Sequence, residues 1–256
     1  MPTPAIPELK IATFNMHKGL SPLNRRHHLD AMSEGLRHLS VDLLFLQEVQ
    51  GRHALHAGRF EDWPSEAQHR YLGRQLQKSA VYGLNATYEH GHHGNAILSR
   101  YPIRQWCNLD ISVNRFEQRG VLHSEIHPPR WAHPVTALCV HLNLLARDRR
   151  KQFQALGDYI ARAVPAQNHL ILAGDFNDWR GEACSHLKEI GLDEVFTRVH
   201  GRTARSFPAR LPLLTLDRIY TRGLVAESAE IHRGMPWPRL SDHLPLSASL
   251  RPLPTS

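Results

Sequence analysis

Leu170-Ile-Leu-Ala-Gly-Asp-Phe-Asn-Asp-Trp179 is an apolar run that ends in Asp175, Asn177 and Asp178. A run of strand length closed by glycine and acids carries polar side chains to the end of a buried strand, where a carboxylate can take a proton from water and an amide can hold it in place. Alone, an Asp and an Asn two apart also describe a turn, because both bond their own backbone and tolerate left-handed geometry. The pattern recurs, however. Ile11-Ala-Thr-Phe-Asn15 leads into His17, Val41 to Glu48 ends in Gln47 and Glu48, Val135 to His141 runs on to Asn143, and Ser241-Asp242-His243 precedes the alternating segment Leu244 to Leu250. Packing alone does not explain five strand ends carrying acids, amides and imidazoles.

Cleaving a phosphodiester needs a positioned water, a group to take its proton, charge stabilisation on the phosphoryl oxygens and help for the departing oxygen. Asp175 is the candidate proton acceptor, with Asn177 orienting the water or holding a phosphoryl oxygen. His243 and His141 can donate hydrogen bonds to phosphate, and Asp217 in Leu216-Asp-Arg-Ile-Tyr220 is the natural partner of His243. Glu48 and Asp242 offer hard oxygen ligands of the kind that magnesium or manganese uses alongside water and substrate. Most of the 19 histidines are read as surface residues, and no soft-ligand zinc set stands out. Singly, each has a structural reading: Glu48 as a helix N-terminal acid, His141 as a bonded core histidine, Asp217-Arg218 as a local ion pair.

Positioning these residues requires strands at Ile11–Asn15, Val41–Gln47, Asn95–Ser99, Gly120–Ile126, Val135–Leu142, His169–Gly174, Leu216–Thr221, Ala226–His232 and Leu244–Leu250. Apolar residues at helical spacing predict helices over Asp30–Leu39, Arg147–Ala163 and Glu182–Ile190, the last stopped by Gly191. Several neighbouring strands have only loops between them, which argues against a purely parallel sheet and for an α/β (α+β) sandwich of mixed sheets with outer helices. His53–Ser65 and Arg202–Leu213 read as long irregular segments of the kind that set substrate choice. No linker divides residues 1–256, so one domain is expected.

The chain is 41% apolar and 21% charged, the composition of a soluble globular protein with a sizeable core. No run approaches the roughly 18 apolar residues that span a bilayer. Met1 to Lys10, with three prolines, lacks the apolar region of a signal peptide, so the cytoplasm is the expected compartment. Cys107, Cys139 and Cys184 show neither zinc spacing nor a disulfide framework and read as reduced, mostly buried residues. The net charge of +7 comes mainly from arginine, whose planar fork suits phosphate, and favours an anionic partner.

The ordered set Asn15 in Thr-Phe-Asn, Glu48 in Leu-Gln-Glu-Val, Gly94-Asn95-Ala-Ile-Leu-Ser99, His141-Leu-Asn, Gly174-Asp175-Phe-Asn177, Asp217-Arg-Ile-Tyr and Ser241-Asp242-His243 resembles the endonuclease/exonuclease/phosphatase superfamily of DNase I-like fold. The resemblance runs from residue 11 to residue 243 and is greatest for a small bacterial branch with Asn15-Met-His-Lys-Gly19 and Gly91-His-His-Gly-Asn95. It implies a four-layer sandwich of two mixed sheets between helices, with the site at one end. It further implies Glu48 as metal ligand with Asn15 and Asp242 beside it, Asp175 and Asn177 on water and phosphate, and Asp217 orienting His243. Asn95, Asn143, Arg149, His17 and Lys18 are candidates for contacting substrate phosphate. The second acid that supports the histidine matching His141 in such enzymes has no clear match; Glu89 is the nearest.

These readings predict a Mg2+- or Mn2+-dependent phosphodiesterase acting on nucleic acid. The alternative is a phospholipid- or sphingomyelin-type phosphodiesterase or a phosphatase of small phosphoesters. For that enzyme Leu211-Pro-Leu-Leu214 and Trp237, among arginines, would touch an anionic phospholipid surface, although core burial is the simpler reading of the leucines. A non-catalytic module holding anions on its basic surface is a third reading.

Overall fold

The computed structural model describes residues 6–24, 26–60 and 63–253. Its first half comprises β1 (Leu9–Asn15), α1 (Leu29–His38), β2 (Leu43–His53), α2 (Ala54–Arg59), α3 (Gln68–Leu76), β3 (Ser79–Tyr88), β4 (Gly91–Ser99), β5 (Ile103–Asp110) and β6 (Gly120–Ile126). Then follow β7 (Val135–His141), α4 (Ala146–Ala163), β8 (His169–Asp175), α5 (Glu182–Glu189), β9 (Asp193–Glu194), α6 (Val195–His200), β10 (Asp217–Arg222), β11 (Leu224–Ile231), α7 (Trp237–Leu240) and β12 (Leu246–Pro252).

Two six-stranded sheets form, ordered β11-β12-β1-β2-β4-β3 and β5-β6-β7-β8-β10-β9. Each has one central parallel pair, β1 with β2 and β7 with β8. A parallel pair needs a long crossover, and α1 and α4 supply it. The other pairings are antiparallel, so both sheets are mixed, as expected.

Strand alternation builds the layers. Ile11, Leu43, Phe45, Ile97, Ala137, Cys139, Ile171, Ala173 and Ile219 fill the gap between the sheets. The opposite parity faces outward. Ala12, Phe14, Leu44 and Leu46 pack under Met32 and Leu36 of α1 and Leu72 of α3, while Leu138, Val140, Leu170 and Leu172 pack under Phe153, Leu156 and Ile160 of α4. The result is four layers, helix-sheet-sheet-helix.

Several elements differ from expectation. β3 and β5 are partly exposed strands at or near sheet edges, so neither shows the apolar run of a buried strand. α3 escapes notice because only Leu72 among its apolar residues is fully buried. The segment after His53 holds α2 rather than an irregular loop, and β4 begins at Gly91 rather than Asn95. Arg202–Leu213 is irregular, as read. All three cysteines are free, but Cys107 is exposed. No helix among the described residues is long and apolar enough to cross a membrane.

Candidate active site

The site lies where the inward-facing parity of each strand changes from apolar to polar. Ile11 gives way to Asn15, Cys139 to His141 and Ala173 to Asp175 at the carboxyl ends of β1, β7 and β8, and Phe45 gives way to Gln47 where the pairing of β2 with β1 stops, β2 itself running on to His53. The antiparallel neighbours bring their amino ends to the same edge, so Asp217 pairs in register with Asp175, which in turn pairs with His141 across the parallel β7–β8 ladder. Two contacts stitch the sheets together here. Asn15 Nδ2 of β1 donates to Asp175 Oδ2 of β8 at 3.0 Å, and His243, on the loop before β12, places Nδ1 2.8 Å from Asp217 Oδ2 of β10.

Asp175 is the focus. Its Oδ2 lies 3.0 Å from Asn15 Nδ2, 3.5 Å from His141 Nε2 and 3.7 Å from His243 Nε2, while its Oδ1 accepts the Asn177 backbone N–H at 2.9 Å. The carboxylate is 1% exposed. Burial, reinforced by Asp217, overcomes the opposing effect of His243 and pushes Asp175 up to about 6. The two imidazoles are driven apart. Burial disfavours charge on His243, but Asp217, Asp175 and Asp242 outweigh it and push the ring up to about 10. His141 is equally enclosed, and burial, with the positive charge of Arg119, His243 and Lys18 nearby, holds it well below the ordinary histidine range and therefore neutral.

Glu48 and Asp242 flank Asn15. Asn15 Nδ2 also donates to Glu48 Oε1 at 3.3 Å, and Lys18 Nζ is 3.8 Å from Glu48 Oε2. His17 Nδ1 lies 3.1 Å from Asp242 Oδ1 and its Nε2 3.1 Å from Asn24 Oδ1. The bond to Asp242, larger than the cost of burial, raises His17 above its ordinary range. Ser241 clamps this corner, its Oγ donating to the Asn15 carbonyl at 2.7 Å. His17, Lys18, Glu48 and Asn177 all adopt positive φ, between 44° and 54° or slightly above at 59° for Lys18, an uncommon conformation for side-chain-bearing residues that collects at functional sites. Gly174 sits at φ +151°, and a Cβ there would meet the Val140 carbonyl at 1.9 Å, so the turn into Asp175 requires glycine.

Asp175, Asp217 and His243 form a group whose ligand atoms lie within 4.8 Å of one another and could hold a metal ion. Within it, His243 Nδ1 is already engaged with Asp217 Oδ2 at 2.8 Å.

Other expected contacts are placed differently. Asn95 is fully buried and its amide donates across the sheets to the Gly120 and Cys139 carbonyls at 3.1 and 3.2 Å, leaving phosphate no donor. Asn143 is tied to Gln152 and Asp148, and Arg149, 1% exposed, donates to the Asn143 and Leu144 carbonyls and stacks on Trp179. These residues shape the loop after β7. Glu89 does not support His141: its side chain is 87% exposed and lies near His90. Trp237 is buried against Phe14, whereas Leu211, Leu213 and Leu214 are exposed, the reverse of the sequence reading.

Sequence reasoning missed Arg119 and His93, which face His141, and Ser206, whose hydroxyl donates to Asp217 Oδ2. Arg119 precedes β6 and Ser206 lies in a loop, so neither follows an apolar run. The signal for Arg119 was topological, because an antiparallel partner of β7 must start at this edge.

A relative in Escherichia coli (strain K12), "Uncharacterized protein YbhP", is 43% identical over 242 residues, 94% of this chain and 95% of that protein. The endonuclease/exonuclease/phosphatase from Beutenbergia cavernae superposes with a TM-score of 0.78 at 18% identity, over 96% of this chain and 72% of that one. Zebrafish (D. rerio) TDP2 complexed with single strand DNA product superposes with a TM-score of 0.71 at 17% identity, over 95% and 99%. These solved structures share the DNase I-like fold of two mixed sheets between helices. The profile of the Endonuclease/Exonuclease/phosphatase family matches residues 12–243, and the chain belongs to that family.

Proposed function

We propose that this chain is a metal-dependent phosphodiesterase. The observation that carries the reading is the convergence of Asn15, His141 and His243 on a single oxygen of buried Asp175. One amide donor and two imidazole nitrogens thus gather at a carboxylate that titrates near neutrality, where a proton can be taken and phosphoryl charge met.

Asp175 accepts the proton of the attacking water, its two oxygens fixed by Asn15 Nδ2 and the Asn177 backbone N–H. Charged His243 donates from Nε2 to a phosphoryl oxygen, and Asp217 on Nδ1 fixes the ring and keeps it protonated. His141, neutral, donates a hydrogen bond without bringing a second charge against His243. Glu48, Asn15 and Asp242 would hold the ion. The side chains of Glu48 and Asp242 are 20% and 28% exposed, and the cation nearest Glu48 is as far as 3.8 Å, so hard oxygens remain for Mg2+ or Mn2+. When bound, the ion supplies charge neutralisation at the phosphoryl oxygens and the departing oxygen. Lys18, exposed beside Glu48, is placed to meet substrate phosphate, with His17 behind it.

Nucleic acid is the first substrate class, supported by the +7 charge and by the DNA-bound structural neighbour. Phospholipid is the second, supported by the exposure of Leu211, Leu213 and Leu214. Supercoiled plasmid with Mg2+ tests the first: nicking by wild type, abolished by chelation and by His243→Ala, and falling steeply with salt, is the expected result. Intact plasmid alongside head-group release from an anionic phospholipid would move the substrate to lipid. Nicking retained by His243→Ala would remove that residue from the chemistry.

A further inference from the structure

The loops that follow β1, β2, β7 and β8, and those that precede β4, β6, β10 and β12, all emerge at the edge that holds Asp175 and His243. Among the large apolar side chains that stand exposed in the described residues, Leu23, Phe116, Leu144, Leu145, Trp179, Leu211, Leu213, Leu214 and Met235 lie in loops that open at this edge. Leu23, Leu211, Leu213 and Leu214 rim it on one side, and Phe116, Leu144, Leu145 and Trp179 on the other. Apolar side chains gathered on one face mark a surface that meets another apolar body.

The segment Phe207–Leu214 carries three of them and is a defined structure rather than a loose loop. Phe207 and Leu214 bridge as an antiparallel pair, the Leu213 N–H reaches the Phe207 carbonyl at 2.9 Å, and the Ala209 N–H reaches the Asp242 carbonyl at 2.7 Å. The Phe207 ring lies 5.0 Å from the His243 ring. The tip therefore stands directly beside the site.

Charge surrounds this tip with one sign. Pro212 shares one concavity with Arg202, Arg205 and Arg233, and Arg210 shares another with Leu23 and Arg239; neither is lined by an acid. All five arginines lack an ion pair among the described residues, whereas Arg74, Arg150 and Arg251 elsewhere on the surface each pair with a glutamate. Leucines projecting between unpaired arginines match the apolar boundary and anionic head groups of a bilayer. A single-stranded nucleic acid would instead need flat rings to stack on, and the rim is mostly leucine.

We propose that this edge docks on an anionic phospholipid surface, with the Phe207–Leu214 segment entering the head-group region. The proposal rests on the phosphodiesterase reading only for what happens after docking. Its test is co-sedimentation of the full chain, in chelator, with vesicles of phosphatidylglycerol and phosphatidylethanolamine or of phosphatidylcholine alone. Wild type is expected to sediment with the anionic vesicles and not the neutral ones. A Leu211→Ser/Leu213→Ser/Leu214→Ser variant is expected to lose on the order of tenfold or more in binding, and Arg205→Glu/Arg210→Glu to lose comparably, while both keep wild-type turnover of a soluble diester. Wild type left in the supernatant, or the leucine variant binding as well as wild type, overturns the proposal. So does loss of binding to a single-stranded oligonucleotide rather than to vesicles in the leucine variant, which would make the rim a nucleic-acid surface. Vesicle binding without turnover of any diester would leave the docking standing and defeat the phosphodiesterase reading; turnover of a soluble diester without vesicle binding does the opposite.

Discussion

His243 and His141 have the same enclosure, and their neighbours decide their charge. Three carboxylates keep His243 protonated to about 10, whereas burial, helped by Arg119, His243 and Lys18, keeps His141 neutral. Two like groups with environments that separate them is a pattern by which one site holds both charged and neutral donors. In the metal-free protein the His243 ring-proton NMR signals are therefore expected to stay flat between pH 6 and pH 8. In Asp217→Asn they are expected to titrate at a lower pH; a His243 signal that titrates near 6.5 in wild type would contradict the assigned ion pair. The linkage sign follows from a raised folded pKa. The stability contributed by the pair is full below about 6.5 and disappears as the pH climbs towards 10, so the Asp217→Asn penalty shrinks over that window. Asp175, Asp217 and His243 were readable because each borders an apolar run in sequence. Arg119 was not, since it reaches His141 only through strand pairing.

At the scale of elements, one rule places the site: alternating inward residues fill the gap between sheets until the strands pass the edge of the core, and polar side chains then take the same parity. That rule was visible along β1, β2, β7 and β8, whose runs are buried on both faces. It was invisible along β3 and β5, which lie half exposed at or near sheet edges and are held by their neighbours rather than by their own pattern. Asn95 shows where sequence adjacency misleads. Its place before the apolar run of β4 suits a phosphate ligand, yet its amide bonds two carbonyls of the opposite sheet. Asn95→Leu is expected to destabilise the fold by about 2–4 kcal/mol, since two buried carbonyls lose their donor, and to leave KM unchanged for the folded fraction. Denaturant unfolding checks this; an unchanged midpoint with a raised KM would return Asn95 to the substrate.

At the scale of the molecule, the site is assembled from both sheets. β1, β2 and the loop before β12 bring Asn15, Glu48, Asp242 and His243, while β7, β8 and β10 bring His141, Asp175 and Asp217. The fold and its reactive edge were legible because buried strands leave long apolar runs. The rim was not, because a leucine destined for solvent and one destined for the core are written alike, and only the chain's path past His243 separates Leu213 from Leu244. The central claim is hydrolysis of phosphodiesters by the Asp175–His243 pair with a divalent ion, independent of what presents the phosphate. The most direct measurement is turnover of bis(p-nitrophenyl) phosphate by wild type, Asp175→Asn and His243→Ala, with Mg2+ or Mn2+ and with chelator. The account predicts metal-dependent turnover by wild type and a loss of about 10²–10⁴-fold in each variant. Turnover of the same size in all three proteins, or in wild type with chelator, would contradict it.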